Sequence, residues 1–291
     1  MALSVLNNIS AMYAENNLNQ TQSSLQNTLT QLSSGSRINS GSDDAAGLSV
    51  ANGLSANEAA LTQSSENAQD GVSLLQTADG ALSQVNSLLN RAVTLATEAS
   101  NGTLNANQVS SANAEYQNIL TEIGNIGSTT NFNGNSVFSS TATNLVVSDG
   151  TASGTTTFAD TVGALTKGSI GESAPSGSAT TPGAGVDFTA SSISTLTASS
   201  AQDVLQSLTQ AIGDVAYQRG IIGANVNQLQ AASQVASVQS ENLTAASSAI
   251  MSTDYGQATS DMAKYQVLSQ TGISALAQAN SVQQEVTKLL Q

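Results

Sequence analysis

Apolar side chains recur every seven residues through both outer thirds of this chain. In the first third they are Leu54, Leu61, Ala68, Leu75, Leu82, Leu89 and Ala96, joined from Leu75 onward by Ala78, Val85 and Ala92. That 3-4 spacing draws one stripe along a helix and is the a/d seam of a coiled coil. In the last third Ile222, Leu229, Ala236, Leu243 and Ile250 repeat the step, as do Leu268, Ala275, Val282 and Leu289 beyond Gly256. Leu18, Leu25 and Leu32 carry a shorter version near the start. An intramolecular bundle satisfies the same period. Yet a helix from Asp43 to about Ser100 would run roughly 85 Å at about 1.5 Å per residue. Its stripe needs a partner of equal length, which the C-terminal arm supplies, and further copies at the ends.

The interruptions are equally legible. Ser33-Ser34-Gly35-Ser36-Arg37-Ile38-Asn39-Ser40-Gly41 ends the first helix. Ser42 suits an N-cap for the next, with Asp43 and Asp44 placing negative charge on its first turn. Asp254-Tyr255-Gly256 marks a matching joint on the other side, so each arm divides into a terminal and an inner helix, which suggests two stacked layers. The middle is different. Both prolines, Pro175 and Pro182, lie there among Ser, Thr, Gly and Ala. Asn144-Leu145-Val146-Val147 and Thr155-Thr156-Thr157-Phe158 read as strands, and Asn131-Phe132-Asn133-Gly134 as a chain reversal leading into them. The pattern therefore predicts a mainly α fold: long antiparallel coiled-coil or bundle arms from both chain ends, with a small β-rich middle region.

Charge sharpens this picture. Only 9% of the 291 residues are charged, against about 25% in an ordinary soluble protein. A polar, weakly charged surface can meet other copies of itself without stripping water from many ions. Twenty acids and six scattered bases give a net charge of −14. That leaves no basic stripe for nucleic acid and none for an anionic membrane. No stretch approaches the roughly 20 apolar residues that span a bilayer. The opening MALSVLNNISAMYAENN has neither the basic start nor the apolar core of a classical signal peptide.

Candidate chemistry is sparse. There is no cysteine and no histidine. Disulfides, thiolate nucleophiles and the commonest metal ligand and general base are thereby removed. Adjacent helical residues point about 100° apart, so Asp43 and Asp44 do not converge on one atom and read as helix-start electrostatics. Gly213 and Gly220-x-x-Gly223 lack the strand and the Lys-Ser/Thr of a phosphate loop and read as local helix packing. Arg37 is either a solvated loop charge or a tie to a neighbouring carboxylate. No cofactor and no enzymatic activity are expected.

Leu32-Ser33-Ser34-Gly35-Ser36-Arg37-Ile38-Asn39-Ser40, then Asp43-Asp44-Ala45-Ala46-Gly47-Leu48 and Ala51-Asn52, resemble the N-terminal signature of the bacterial flagellins. Asn67-Ala68-x-Asp70-Gly71, Thr77-Ala78-x-Gly80-Ala81-Leu82 and Phe132-Asn133-Gly134 extend the likeness. Ser252-Thr253-Asp254-Tyr255, Met262-Ala263-Lys264, Val267-Leu268-x-Gln270-Thr271-Gly272 and Leu276-Ala277-Gln278-Ala279-Asn280 are similar to the family's second signature. The resemblance covers about residues 1–140 and 200–291.

It implies a subunit exported through the flagellar type III channel without a cleaved signal and polymerised into the extracellular motility filament. Partly disordered monomer termini are implied too, as are an export chaperone, cap and hook-junction proteins as partners. The expected layers are terminal helices 1–42 and 256–291 in the filament's inner core, an outer-core helical domain from 43–140 and 200–255, and a short variable region at 141–199. Arg37, Asp43 and Asp44 form the joint between layers, and Val282, Val286 and Leu289 the terminal packing stripe. Arg91, Leu95 and Glu115 match positions facing neighbouring subunits or a host Toll-like receptor. Val93 and Thr94 replace a second arginine and a glutamate of that cluster, which counts against receptor recognition. A hook-filament junction protein is the alternative function.

Overall fold

The computed structural model describes residues 8–139, 143–148, 155–160, 162–172 and 184–289. Five helices dominate: α1 (Ile9–Ser34), α2 (Ala45–Ser100), α3 (Ala106–Thr129), α4 (Ala201–Met251) and α5 (Tyr255–Leu289). The mainly α arms and small β-rich middle are thus present. The chain divides into two compact units, 1–56 with 242–291, and 57–241.

In the first unit α1 and α5 run antiparallel. Asn8 Nδ2 donates to the Ala279 carbonyl (3.0 Å), while at the other end Thr253 Oγ1 donates to that of Gln31 (3.4 Å). Between these ends Leu18 lies over Gly272. The helix ends are capped by sequence-local chemistry. Asn8 Oδ1 accepts from Ala11 N at the start of α1, and Gly35, at φ 71°, closes its end by donating to Gln31 O. A β-carbon disfavours that left-handed conformation, hence the glycine. Asp254 Oδ1 accepts from the N–H groups of Gly256 and Gln257 and so opens α5.

Two expectations change here. Ser42 does not cap α2, because its hydroxyl is engaged with Ser40 (2.7 Å). The cap is Asp44, whose Oδ1 accepts from Gly47 N at 2.8 Å. A carboxylate there satisfies a free N–H and also meets the positive end of the helix dipole. In α5 the seam towards α1 runs through Ala258, Met262, Tyr265, Gly272, Leu276 and Ala279, all at least half-buried, whereas Leu268, Ala275 and Val282 are exposed. The apolar repeat read from the sequence marks the outer stripe of α5.

In the second unit α2 and α4 are antiparallel too. Ser65 meets Ser233 (2.9 Å) and Asp79 meets Arg219 (2.7 Å). Leu61, Ala68, Leu75, Leu82, Leu89 and Ala96 are all buried, as are Ala78, Val85 and Ala92. On α4, Leu208, Ala211, Val215, Ile222 and Leu229 belong to the same core, and α3 adds Tyr116, Ile119, Leu120 and Ile123. α3 begins with a capping box in which Asn105 and Gln108 satisfy each other's backbone N–H. Gly213, Gly220 and Gly223 do not pack as expected. They are exposed, with open space where a β-carbon would stand.

The strands form three two-stranded antiparallel ribbons: β1 (Asn131–Phe132) with β2 (Asn135–Ser136), β3 (Thr143–Ser148) with β4 (Thr155–Asp160), and β5 (Ile170–Glu172) with β6 (Ala184–Val186). Asn133 and Gly134, at φ 49° and 82°, make the two-residue turn that the Asn-Gly signal predicts. Leu145 of β3 sits against Gly71 of α2, where an added β-carbon would come within 2.5 Å of it. Asn67 Nδ2 donates to the Val146 carbonyl (3.0 Å) and fixes that placement.

Candidate assembly surfaces and joint

The joint between terminal and inner helices is a backbone-to-backbone clasp. Ser36 bridges Ser252, Arg37 N donates to Met251 O (2.7 Å), and Thr253 N donates to Gly35 O (3.1 Å). The Arg37 guanidinium then donates from Nη2 to the Ile250 carbonyl at 3.0 Å. Among the described residues it pairs with no carboxylate, so the tie expected for it goes to a helix end instead. The last carbonyls of α4 lack N–H donors within the helix and carry partial negative charge, which a guanidinium matches. Asp43 folds the intervening loop, its Oδ2 accepting from Asn39 N (3.0 Å) and Ser40 N (2.8 Å). Those backbone bonds hold its carboxyl below the usual carboxylate range.

The terminal pair leaves much apolar surface outside. Tyr13 is 67% exposed and Val267 65%, and Ile9, Met12, Leu29, Leu268, Ile273 and Val282 are also exposed. Single exposed apolar residues are ordinary, but nine on two paired helices, Tyr255 at the start of α5 being the ninth, are not. Val286 and Leu289 of the expected terminal stripe lie in the last turns of α5, and their side chains fall outside the described set.

On the inner unit Arg91 and Glu115 find one another. Nε donates to Oε1 at 2.7 Å and Nη2 to Oε2 at 3.1 Å, across the α2–α3 hairpin. The side chains remain 53% and 44% exposed. The hydrogen bond from Arg91 holds Glu115 below the usual range. Leu95, grouped with this pair in the sequence, is only 2% exposed and points into the core. One helical turn of offset carries it across the edge of the buried stripe.

Sequence reasoning missed three polar anchors in the inner unit. Asp79 and Arg219 form a second two-pronged pair (2.7 and 3.2 Å) joining α2 to α4. Buried Tyr116 donates its hydroxyl to Ile193 O (2.8 Å), and desolvation pushes its pKa well above that of a free phenol. Buried Gln218 donates to Val162 O (2.6 Å). A base within a heptad helix, as at Arg219, was the one signal available. The carbonyl acceptors had none.

Comparison with known proteins agrees with this architecture. The family model for the bacterial flagellin N-terminal helical region matches residues 5–143, and that for the C-terminal helical region matches 205–290. A flagellin of Listeria innocua is 31% identical over 288 residues, 99% of each chain. One of Halalkalibacterium halodurans is 33% identical over 283 residues, covering 97% of this chain and 98% of that one. A crystal structure of Bacillus cereus flagellin is similar at 29% identity and a TM-score of 0.44, over 58% of this chain and 88% of that chain.

Proposed function

Because this chain belongs to the bacterial flagellin family, a family of structural filament subunits, we propose a division of labour between its two units. The protein is a subunit of the extracellular flagellar filament and polymerises with copies of itself. In our reading the terminal helices, 1–42 and 256–291, build the filament's inner core. The helical stretches 43–140 and 200–255 build an outer core, and 141–199 forms the variable outer segment. The observation that carries this is the exposed apolar face of α1 and α5 beside a half-buried, polar-rich seam. Thr21, Ser24, Thr28 and Ser269 lie among its inward positions. An isolated helix pair with so thin a core is marginal in water and gains most by burying its outer face against copies.

Arg37, Asp43 and Asp44 then act as a joint that passes one layer's position to the other. The Arg91–Glu115 pair lies on a face offered to neighbouring subunits. An export chaperone, a cap and hook-junction proteins are the partners this role requires. A chain with neither histidine nor cysteine offers little for catalysis, and we assign it none. Hydrogen exchange tests the core of this reading. Amides of α1 and α5 should exchange quickly in the free subunit and become protected in filaments. Equal protection in both states would refute coupled folding and assembly.

A further inference from the structure

Asn-Gly occurs three times in the chain, at Asn52-Gly53, Asn101-Gly102 and Asn133-Gly134. The structure puts the three in different settings. Asn52 lies inside α2, where a helix commits the following N–H to the carbonyl four residues back and holds the backbone in one conformation. Asn133 and Gly134 form the tip of the β1–β2 hairpin, pinned on both sides by the Phe132–Asn135 pair. Asn101 and Gly102 lie in the loop between α2 and α3, joined to no strand. Gly102, at φ 64°, has open space around it, and both residues are exposed. Among the described residues, neither the Asn101 carboxamide nor the Gly102 N–H is engaged in a hydrogen bond.

We propose that Asn101-Gly102 is a self-modifying site at which the chain slowly converts its own carboxamide to carboxylate. The Gly102 backbone nitrogen attacks Cγ of Asn101, a C–N bond forms, and the side-chain nitrogen leaves as ammonia. A five-membered imide ring results. Water then opens it at one carbonyl or the other, giving aspartate, or isoaspartate with the backbone routed through the side chain. No oxidant and no cofactor are needed. Glycine matters because it presents no side chain to the approach and lets the backbone turn freely. A loop is required because the nitrogen must swing towards Cγ. A helix forbids that swing, and a two-residue turn permits it only when its flanking pair opens.

The consequences differ by position. At Asn101 either product adds a negative charge to a chain already at −14, and isoaspartate lengthens the α2–α3 connection, which surface loops tolerate. At Asn133 isoaspartate removes the turn that leads into buried Val137 and Phe138, so the hairpin cannot re-form. The filament lies outside the cell, so such changes would accumulate with its age.

The test incubates purified full-length protein in mildly alkaline buffer and samples it over weeks. Cleavage after glutamate releases Ala99–Glu115, whose mass gain and separated isoaspartate form are followed by liquid chromatography and mass spectrometry. Conversion at Asn101 should run several-fold faster than at Asn133, with Asn52 unchanged while the helix holds. Asn101→Gln should abolish the signal in that peptide and leave the Asn133 rate alone. Unfolding in denaturant should bring all three sites to similar rates. Conversion of Asn52 as fast as Asn101 in the folded protein, or an Asn101 that stays intact while Asn133 converts, would overturn the proposal.

Discussion

In the inner unit, 57–241, Leu75, Leu82 and Leu89 are fully buried, whereas Leu18, Leu25 and Leu32 in the terminal pair stay half-exposed. Both regions are built on the same seven-residue step. What separates them is the number of layers. α2 and α4 are covered by α3, by Phe188 and Leu196, and by the hairpin that rests on Gly71, so their stripe is enclosed on several sides. Within their own unit α1 and α5 pack on each other, and among the described residues that seam alternates with Thr, Ser and Gly. A heptad therefore says which residues share a stripe, and the third layer decides whether the stripe becomes a core in the free subunit.

Removing residues 282–291 should break the comparison most completely. Polymerisation should be lost, because the exposed outer stripe of α5 is cut short, while the melting of the inner unit stays put. Electron microscopy of seeded reactions together with thermal melts reads both sides. Ordinary filaments from the truncated chain would show that the terminal stripe is not what assembly uses.

Next in size is a matched pair of substitutions. Leu82→Ala should destabilise the free subunit by about 2–5 kcal/mol through lost burial and the cavity left behind. Leu268→Ala, at an exposed position, should change that stability by less than about 0.5 kcal/mol yet raise the subunit concentration needed for growth. Equal melting temperatures for the two would erase the distinction between enclosed and open stripes.

This distinction also marks the limit of what could be read in advance. The end of α1 at Ser34, the start of α2 within two residues of Asp43 and its end at Ser100 were legible, since glycine, serine and acidic residues act locally. The Asn-Gly hairpin was legible for the same reason. The stripe of α5 was not, because two stripes share one period and a sequence carries no sign of which meets α1. Leu95 was misplaced because one helical turn beyond Arg91 crosses from the open face into the buried stripe. Arg37 went unresolved because its acceptor, Ile250 O, is a backbone atom that every residue owns. Local signals fix ends; partners across the fold leave little trace.

A smaller effect concerns pH. Asp214 of α4 packs against Gly171, and its Oδ2 is buried with no hydrogen-bond partner among the described residues. Desolvation holds its carboxyl above the usual carboxylate range. The folded state therefore binds this proton more tightly than the unfolded chain does. The charged form weakens the fold above the raised value, and the penalty fades as pH falls through it. Asp43, Glu115 and Asp187 have lowered values and act oppositely, losing their contribution only under more acidic conditions. Asp214→Asn should accordingly raise the melting temperature near neutral pH, and its advantage should shrink towards about pH 4, the ordinary carboxylate range. A gain independent of pH would mean that shape rather than charge is responsible.

The smallest effect on the free subunit, and the one that sharpens the comparison furthest, belongs to the two arginine pairs. Arg219–Asp79 ties α2 to α4, residues 140 apart in the chain. Arg91–Glu115 ties α2 to α3 across a short hairpin already closed by buried Tyr116, Ile119 and Leu120. Breaking the first should loosen two long arms, while breaking the second should leave packing to hold the hairpin, since exposed ion pairs contribute little. Arg219→Ala should therefore lower the melting temperature more than Arg91→Ala, which should melt nearly as wild type does. In seeded elongation the order should reverse. The Arg91 side chain remains 53% exposed beside Glu115, and a contact made there would recur at every subunit along the fibre. Raising salt should slow wild-type elongation towards the Arg91→Ala rate, because screening weakens exposed charge contacts. If Arg91→Ala melts early and elongates normally, the pair belongs to the fold of the subunit and the assembly face lies elsewhere.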